Sequence, residues 1–210
     1  MPDQPPLDDL ATRAIAGEAA ALRALCERIQ GPVYRLALRM LGQPSDAEDA
    51  TQEIVIKAIT RLASFEGRSA LMTWVYTIAV RHLLRIQAHP RETAMSVETL
   101  AAKLDAGLAL ATHATPLTAV EAPVLERELQ LECTQGMFLV LSRPERIAYI
   151  LADVLGATDR IGADICEIEP AAFRQRLARA RACSPSDAAS PIRTIRVGAS
   201  DRHRSHAPRS

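Results

Sequence analysis

Aromatic side chains are scarce in this sequence: three Phe, three Tyr and one Trp among 210 residues, or 3%. The core must therefore be built from aliphatic side chains, and each ring that does occur is worth locating. Net charge is missing as well, because 25 Lys and Arg are matched by 25 Asp and Glu. A zero balance disfavours a protein that coats DNA or an anionic membrane by bulk electrostatics alone, so any nucleic-acid contact has to come from local basic faces. Cysteine is limited to Cys26, Cys133, Cys166 and Cys183, widely spaced and without a CxxC pair. That pattern fits reduced thiols rather than a disulfide scaffold or a zinc site. No apolar run approaches the roughly 18 residues of a membrane span, and Met1 to Pro6 lack the basic and apolar blocks of a signal peptide. The expected setting is the cytoplasm, away from membranes. A catalytic triad, a metal-ligand cluster and a phosphate-cradling glycine loop are all lacking. The expectation is a protein that is not an enzyme and uses no cofactor and no metal.

What is present is helical periodicity. Leu10, Ala14, Leu22, Leu25, Ile29, Val33, Leu36 and Met40 recur at helical spacing, with Gly31-Pro32 expected to break the series and Gly42-Gln43-Pro44 to end it. Ser45 followed by Glu48 reads as a capping box opening a helix to about Leu62, with Asp46 and Asp49 suited to the positive end of its dipole. After a loop over Ala63 to Arg68, Ser69 is the expected cap of a helix reaching about Ile86. Residues 89–125, broken by Pro90, Pro116 and Pro123, read as a linker with one short helix near Ser96 to Leu108. The helical pattern returns from Glu126, with Leu131, Met137, Leu139 and Leu141 leading into Ile147, Ile150, Leu151, Val154 and Leu155 until Gly156 ends it. A shorter helix follows, and Pro170, favoured in a first helical turn, opens the last one. Only 191–197 alternates weakly as a strand. The expected fold is all-α: two small helical domains joined by a linker, the second containing a helix-turn-helix.

Three faces could carry function. On a helical wheel Phe173, Leu177 and Ala180 fall on one narrow face of the last helix, which must be the buried one. Ala171, Gln175 and Arg179 point the opposite way with Ala172 beside them, while Arg174 and Arg181 flank one side and Arg176 the other. Small residues let a helix sink into a groove, Gln pairs with adenine, Arg reaches guanine, and flanking arginines suit phosphates. The plainer reading is a solvated basic helix end. In the preceding segment Leu71, Val75, Ile78 and Ala79 share a buried face, and Thr73, Thr77, Arg81 and Arg85 form a polar stripe bordered by Trp74. Arg61, Phe65 and Arg68 stand just before it. Cations beside a flat apolar surface suit single-stranded nucleic acid, although a helical Trp also suits plain core packing, and His82 reads as a packed histidine. The third face belongs to the helix of residues 46–62. Ala47, Ala50, Ile54, Ala58 and Leu62 bury one side and leave Asp49, Gln52, Glu53 and Ile56 outside, an exposed isoleucine among polar groups that fits a docking face.

Together these pieces resemble a known family. Asp46-Ala-Glu-Asp-Ala-Thr-Gln-Glu-Ile-Val-Ile-Lys-Ala-Ile59 and Phe65-Glu-Gly-Arg-Ser-Ala-Leu-Met-Thr-Trp-Val-Tyr-Thr-Ile-Ala79 resemble region 2 of bacterial sigma factors of the extracytoplasmic-function (ECF) type. Cys133-Thr-Gln-Gly-Met137, Arg146-Ile-Ala-Tyr-Ile-Leu-Ala152 and Pro170-Ala-Ala-Phe-Arg-Gln-Arg-Leu-Ala-Arg-Ala-Arg181 resemble region 4 of the same family. The likeness spans residues 10–86 and 130–182. It implies region 2 at 8–88, a linker at 89–125, region 4 at 126–182 and a basic tail at 183–210.

The resemblance also implies roles. Asp49, Gln52, Glu53 and Ile56 would dock on the clamp helices of the largest subunit of core RNA polymerase. Arg61, Ser64, Phe65, Gly67, Arg68, Thr73, Trp74, Thr77 and Arg81 would take the melted minus-ten element, with a flipped base captured in a pocket. Region 4 would hold the flap of the second-largest subunit and read the duplex minus-thirty-five element through Ala171, Ala172, Arg174, Gln175, Arg176 and Arg179. An anti-sigma factor is a further partner that the resemblance admits. The chain departs from the family at Glu167, where Gly usually makes the tight turn, and at Glu169, where a small cap is usual. A non-Gly residue in a left-handed turn costs on the order of 1–2 kcal/mol. Gly162 lies inside the short helix before that turn, where glycine costs roughly 1 kcal/mol relative to Ala. The tail, with five arginines, two acids, three prolines and six serines, reads as a disordered arm. Two other readings stand beside the promoter-specificity factor. One is a degenerate sigma-like competitor that docks on polymerase without directing initiation. The other is an autonomous helix-turn-helix repressor, which leaves the residue 46–62 face and the Trp74 stripe unused.

Overall fold

The computed structural model describes residues 5–87, 98–99, 102, 105–106 and 138–183. Every regular element among them is helical, so the fold is all-α. No helix among the described residues is long and apolar enough to cross a membrane.

The first unit is built on α1 (Leu7–Ile15) and α2 (Ala19–Leu41), which meet at a turn made by Gly17 in the left-handed region. Leu25, Ile29, Val33, Leu36 and Met40 line the inner side of α2, each almost fully buried. Pro32 does not break this helix, contrary to the sequence expectation. A mid-helix proline removes one hydrogen bond and crowds the carbonyl four residues back, at about 3 kcal/mol. Here Ile29 and Val33 stay in phase on either side of it, so burial of the stripe outweighs the defect. The expected stop at Gly42 is met. Its φ is 75°, its N–H donates to the Leu38 carbonyl at 2.8 Å, and a Cβ there would lie 3.0 Å from the Leu139 side chain. Conformation calls for glycine there, and the space beside Leu139 is tight.

Helix α3 (Pro44–Thr60) starts one residue before Ser45, and the Ser45–Glu48 capping box does not form. Pro44 has φ preset for a first turn and no N–H to satisfy, so the helix begins there and Ser45 falls inside it. A short 3-10 turn, Leu62–Ser64, follows. Helix α4 (Leu71–Leu83) is not capped by Ser69 either; Asp8 of α1 accepts the Leu71 N–H at 2.9 Å, so the cap comes from a distant segment. Along the linker, the described residues 98–99, 102 and 105–106 are helical, and the rest of residues 88–137 lies outside the described residues, as do 184–210 with the weak 191–197 pattern.

The second unit contains α5 (Arg143–Tyr149), α6 (Asp159–Cys166) and α7 (Pro170–Cys183). The apolar series through Leu139 and Leu141 does not run unbroken into Ile147, because Pro144 starts a new helix and cannot bond to a preceding turn. After Tyr149 the helix widens over Ile150–Val154, where the Leu155 N–H reaches back five residues to the Ile150 carbonyl at 2.9 Å, and Gly156 reverses the chain at φ 72°. Thr158 caps α6 by accepting the Ile161 N–H at 3.3 Å. Glu167 then takes φ 54° and ψ 46°, the left-handed position foreseen for it. Phe173, Leu177 and Ala180 of α7 are buried as the wheel required. Cys26, Cys166 and Cys183 are free thiols, and Cys133 lies outside the described residues.

Gly162 has a packing reason that the sequence did not disclose. A Cβ there would lie 2.2 Å from the edge of the Phe173 ring, which is itself fully buried. Ala normally gains about 1 kcal/mol over Gly in a helix interior, whereas overpacking a core typically costs about 1–3 kcal/mol. Gly162→Ala is expected to lower stability by roughly the second range, read as the shift in a denaturant midpoint. A gain in stability would mean the ring can move aside.

Candidate nucleic-acid interface

Helix α3 turns Ala47, Ala50, Thr51, Ile54 and Ala58 inward, and the Thr51 hydroxyl satisfies itself on the Ala47 carbonyl at 2.6 Å. The i, i+3, i+4, i+7 spacing then puts Asp49, Gln52, Glu53 and Ile56 on the outer face, where all four are exposed and Ile56 reaches 61%. Glu53 is not independent of the neighbouring helix. Lys57 donates to its carboxylate at 3.0 Å, and the same ammonium lies 2.7 Å from His82 Nδ1. The hydrogen bond from Lys57 is the main cause of a lowered Glu53 pKa. Burial lowers the His82 pKa first and the Lys57 charge adds to it, with Glu53 opposing. The Lys57 ammonium can only donate, so Nδ1 is the unprotonated, accepting nitrogen and Nε2 carries the proton, 3.8 Å from Glu53.

The loop and α4 form the second surface. Arg61 and Ser64 are exposed, with the Ser64 hydroxyl on the Arg61 carbonyl at 2.7 Å. Gly67 adopts φ 69°, and Arg68 is exposed and pairs with Glu66. Phe65 and Trp74 are half-buried with ring centroids 5.5 Å apart at 53°. They make one aromatic platform that rests on the core and presents its outer side to solvent. Thr73 and Thr77 are half-buried beside it, Thr77 donating to the Thr73 carbonyl at 3.1 Å, and Arg81 is exposed at the end of the stripe. Trp74 is thus part core and part surface. Arg81 forms a two-pronged pair with the carboxylate of Glu167, which raises the arginine's pKa and holds the carboxyl below its ordinary range.

On α7, Ala171, Gln175 and Arg179 are exposed on the side away from Phe173 with half-buried Ala172 beside them, while exposed Arg174 and half-buried Arg176 lie on the two flanks. Arg181 points elsewhere: it pairs with Asp153 at 2.6 and 3.0 Å and ties α7 to the widened segment that follows α5. Burial pushes the Cys166 thiol up to about 11, against the opposing charge of Arg176, so it is neutral near pH 7. The residues that sequence reasoning missed are Arg143 and Arg146. Arg146 is buried, donating to the Leu141 carbonyl at 2.9 Å, the Leu139 carbonyl at 3.2 Å and the Met40 carbonyl. Arg143 donates to the Leu83 carbonyl at 3.3 Å and to that of Ile86. No local pattern marks such contacts, since the acceptors are backbone atoms and those of Met40, Leu83 and Ile86 lie far along the chain.

Comparison with known proteins fits this geometry. Residues 25–87 match the Sigma-70 region 2 family. The ECF RNA polymerase sigma-E factor of Escherichia coli (strain K12) is 33% identical over 179 residues, 82% of this chain and 88% of that protein. The ECF RNA polymerase sigma factor SigC of Mycobacterium tuberculosis is 28% identical over 185 residues, 85% of this chain and 89% of that one. Among solved structures, CnrH in complex with the cytosolic domain of CnrY aligns with a TM-score of 0.58 at 18% identity, covering 83% of this chain and 91% of that one. The sigma factor RpoE in complex with the anti-sigma factor NepR from Bartonella quintana gives 0.51 at 18%, covering 77% and 92%. The chain belongs to the ECF family of RNA polymerase sigma factors. It is a promoter-specificity factor, a regulatory protein of transcription initiation.

The His82 contacts set a pH dependence. Its pKa is lower folded than the ordinary value of about 6.5, so the fold prefers the neutral ring. Stability from this site is complete above that value and declines as pH falls through the folded pKa. Thermal midpoints measured from pH 8 down to pH 5 should fall less in His82→Gln than in the parent chain. Equal slopes would remove His82 as the cause.

Proposed function

We propose that the three faces divide promoter recognition between them. The outer face of α3, with Asp49, Gln52, Glu53 and Ile56, docks on the clamp helices of the largest polymerase subunit. Its single exposed isoleucine among polar groups has the make-up of an interface centre with a polar rim. The loop and α4, from Arg61 through Ser64, Phe65, Gly67, Arg68, Thr73, Trp74 and Thr77 to Arg81, take the melted minus-ten strand. The Phe65–Trp74 platform stacks an unpaired base, and the arginines meet phosphates. Helices α6 and α7 act as a helix-turn-helix on the minus-thirty-five duplex. Ala171 and Ala172 let the helix seat deeply, Gln175 and Arg179 read base edges, and Arg174 and Arg176 hold phosphates.

The observation that carries this reading is the one-sided burial of α7. Phe173, Leu177 and Ala180 fill the core while Ala171, Gln175 and Arg179 face out between the flanking Arg174 and Arg176. With this reading goes a division into region 2 at 8–88, a linker at 89–125 and region 4 at 126–182. With a formal charge of zero, neither reader binds DNA tightly alone. Two weak readers become selective when core polymerase, with its second-largest-subunit flap on region 4, holds both at fixed positions. The solved relatives carry partners on this fold, the cytosolic domain of CnrY and the anti-sigma factor NepR. An anti-sigma factor is a partner of this chain by the same logic. No enzymatic step is assigned to it, and the cytoplasm, where polymerase works, is its compartment.

Arg179→Ala should cost about 1–3 kcal/mol of promoter affinity in the polymerase complex and relax preference at one base pair. Equal weakening on every promoter variant would make Arg179 a phosphate contact instead. Combining Gln52→Ala with Ile56→Ala should weaken binding to core polymerase while the helical circular dichroism is unchanged. Parental affinity in that variant would place the docking face elsewhere.

A further inference from the structure

Glu167 stands at a position where its backbone is unfavourable and its side chain is engaged. It is the one non-glycine residue with positive φ among the described residues, so turn geometry gives no reason for a glutamate there. Its carboxylate instead receives Nε and Nη2 of Arg81, two parallel hydrogen bonds in the fork geometry by which arginine also grips a phosphate. Arg81 closes the stripe assigned above to melted DNA. The partners are 86 residues apart in sequence, and the units that carry them are also joined where Arg143 and Arg146 reach the carbonyl ends of α4 and α2. On a promoter, the turn after α6 would follow the minus-thirty-five element and the α4 stripe the minus-ten element. These are separated by roughly 80 Å of B-form DNA. The two arrangements exclude one another.

We propose that Glu167 is a built-in phosphate mimic: in the free chain it occupies Arg81 and closes the α4 stripe to nucleic acid, and release of the pair is part of opening the protein onto a promoter. This rests on the assignment of the α4 stripe to single-stranded DNA. It also gives the departure from glycine at this turn a purpose, since a residue that strains the second reader silences the first.

A double-mutant cycle on the full-length chain without polymerase tests it. The probe is a short fluorescein-labelled single-stranded DNA of mixed sequence, followed by anisotropy at low salt. Glu167→Gln keeps shape and removes the charge. Because the pair is half-exposed, its loss should tighten DNA binding by about two- to fivefold. In an Arg81→Ala background, Glu167→Gln should give no gain. Equal tightening in both backgrounds would mean that Glu167 merely repels DNA, and no tightening in either would mean that the pair does not compete; each overturns the proposal. If Arg81→Ala leaves DNA affinity unchanged even in the Glu167→Gln background, where the guanidinium is released, the stripe's assignment to DNA has failed and the mimicry falls with it, a result distinguishable from the other two.

Discussion

A guanidinium buried to 1% exposure fixes how the two helical units meet. Burying a charge costs several kcal/mol unless hydrogen bonds replace the lost water. Arg146 obtains them from backbone carbonyls at two places, Met40 at the end of α2 and Leu139 and Leu141 before α5. The last carbonyls of a helix lack intrahelical donors and carry the negative end of its dipole, so a cation is favoured there. Arg143 repeats the arrangement at the end of α4. Gly42 completes the junction, turning α2 aside at φ 75° while leaving room for the Leu139 side chain. This junction brings α6 against α4 and sets Glu167 beside Arg81.

What each helix does outside that core follows from having one apolar side. In α3 the exposed remainder is a polar face with one isoleucine, in α4 an aromatic platform and a guanidinium, and in α7 a run of arginines around an amide. Opposite charges elsewhere keep the total at zero. On the proposed reading such a factor is selective only on a scaffold, because local basic faces would supply orientation and sequence discrimination without the bulk charge that holds a chain on any DNA. The pair between Arg81 and Glu167 is one such matching of opposite charges inside the molecule.

Much of this was legible in the sequence. The wheel for α7 found Phe173, Leu177 and Ala180, and that for α4 found Leu71, Val75, Ile78 and Ala79, because a 3.6-residue period states which side is buried whatever it is buried against. The foreseen left-handed turn at Glu167 came from family likeness rather than from the period. Helix starts were less legible. Ser45 and Ser69 both looked like caps, yet Pro44 opens α3 and Asp8 caps α4 across 63 residues, and local rules do not see a distant carboxylate. Pro32 failed as a breaker for the same reason, tertiary burial overruling a local cost. The close fit of Gly162 against Phe173, and the arginines that close α2 and α4, depend on packing that no spacing encodes.

The central claim is that these faces act together to choose promoters, and run-off transcription tests it most directly. Purified core polymerase, this chain and pooled genomic fragments should yield discrete transcripts whose start sites share two spaced upstream elements. A chain that binds core polymerase and yields no promoter-dependent product on any fragment would contradict the account.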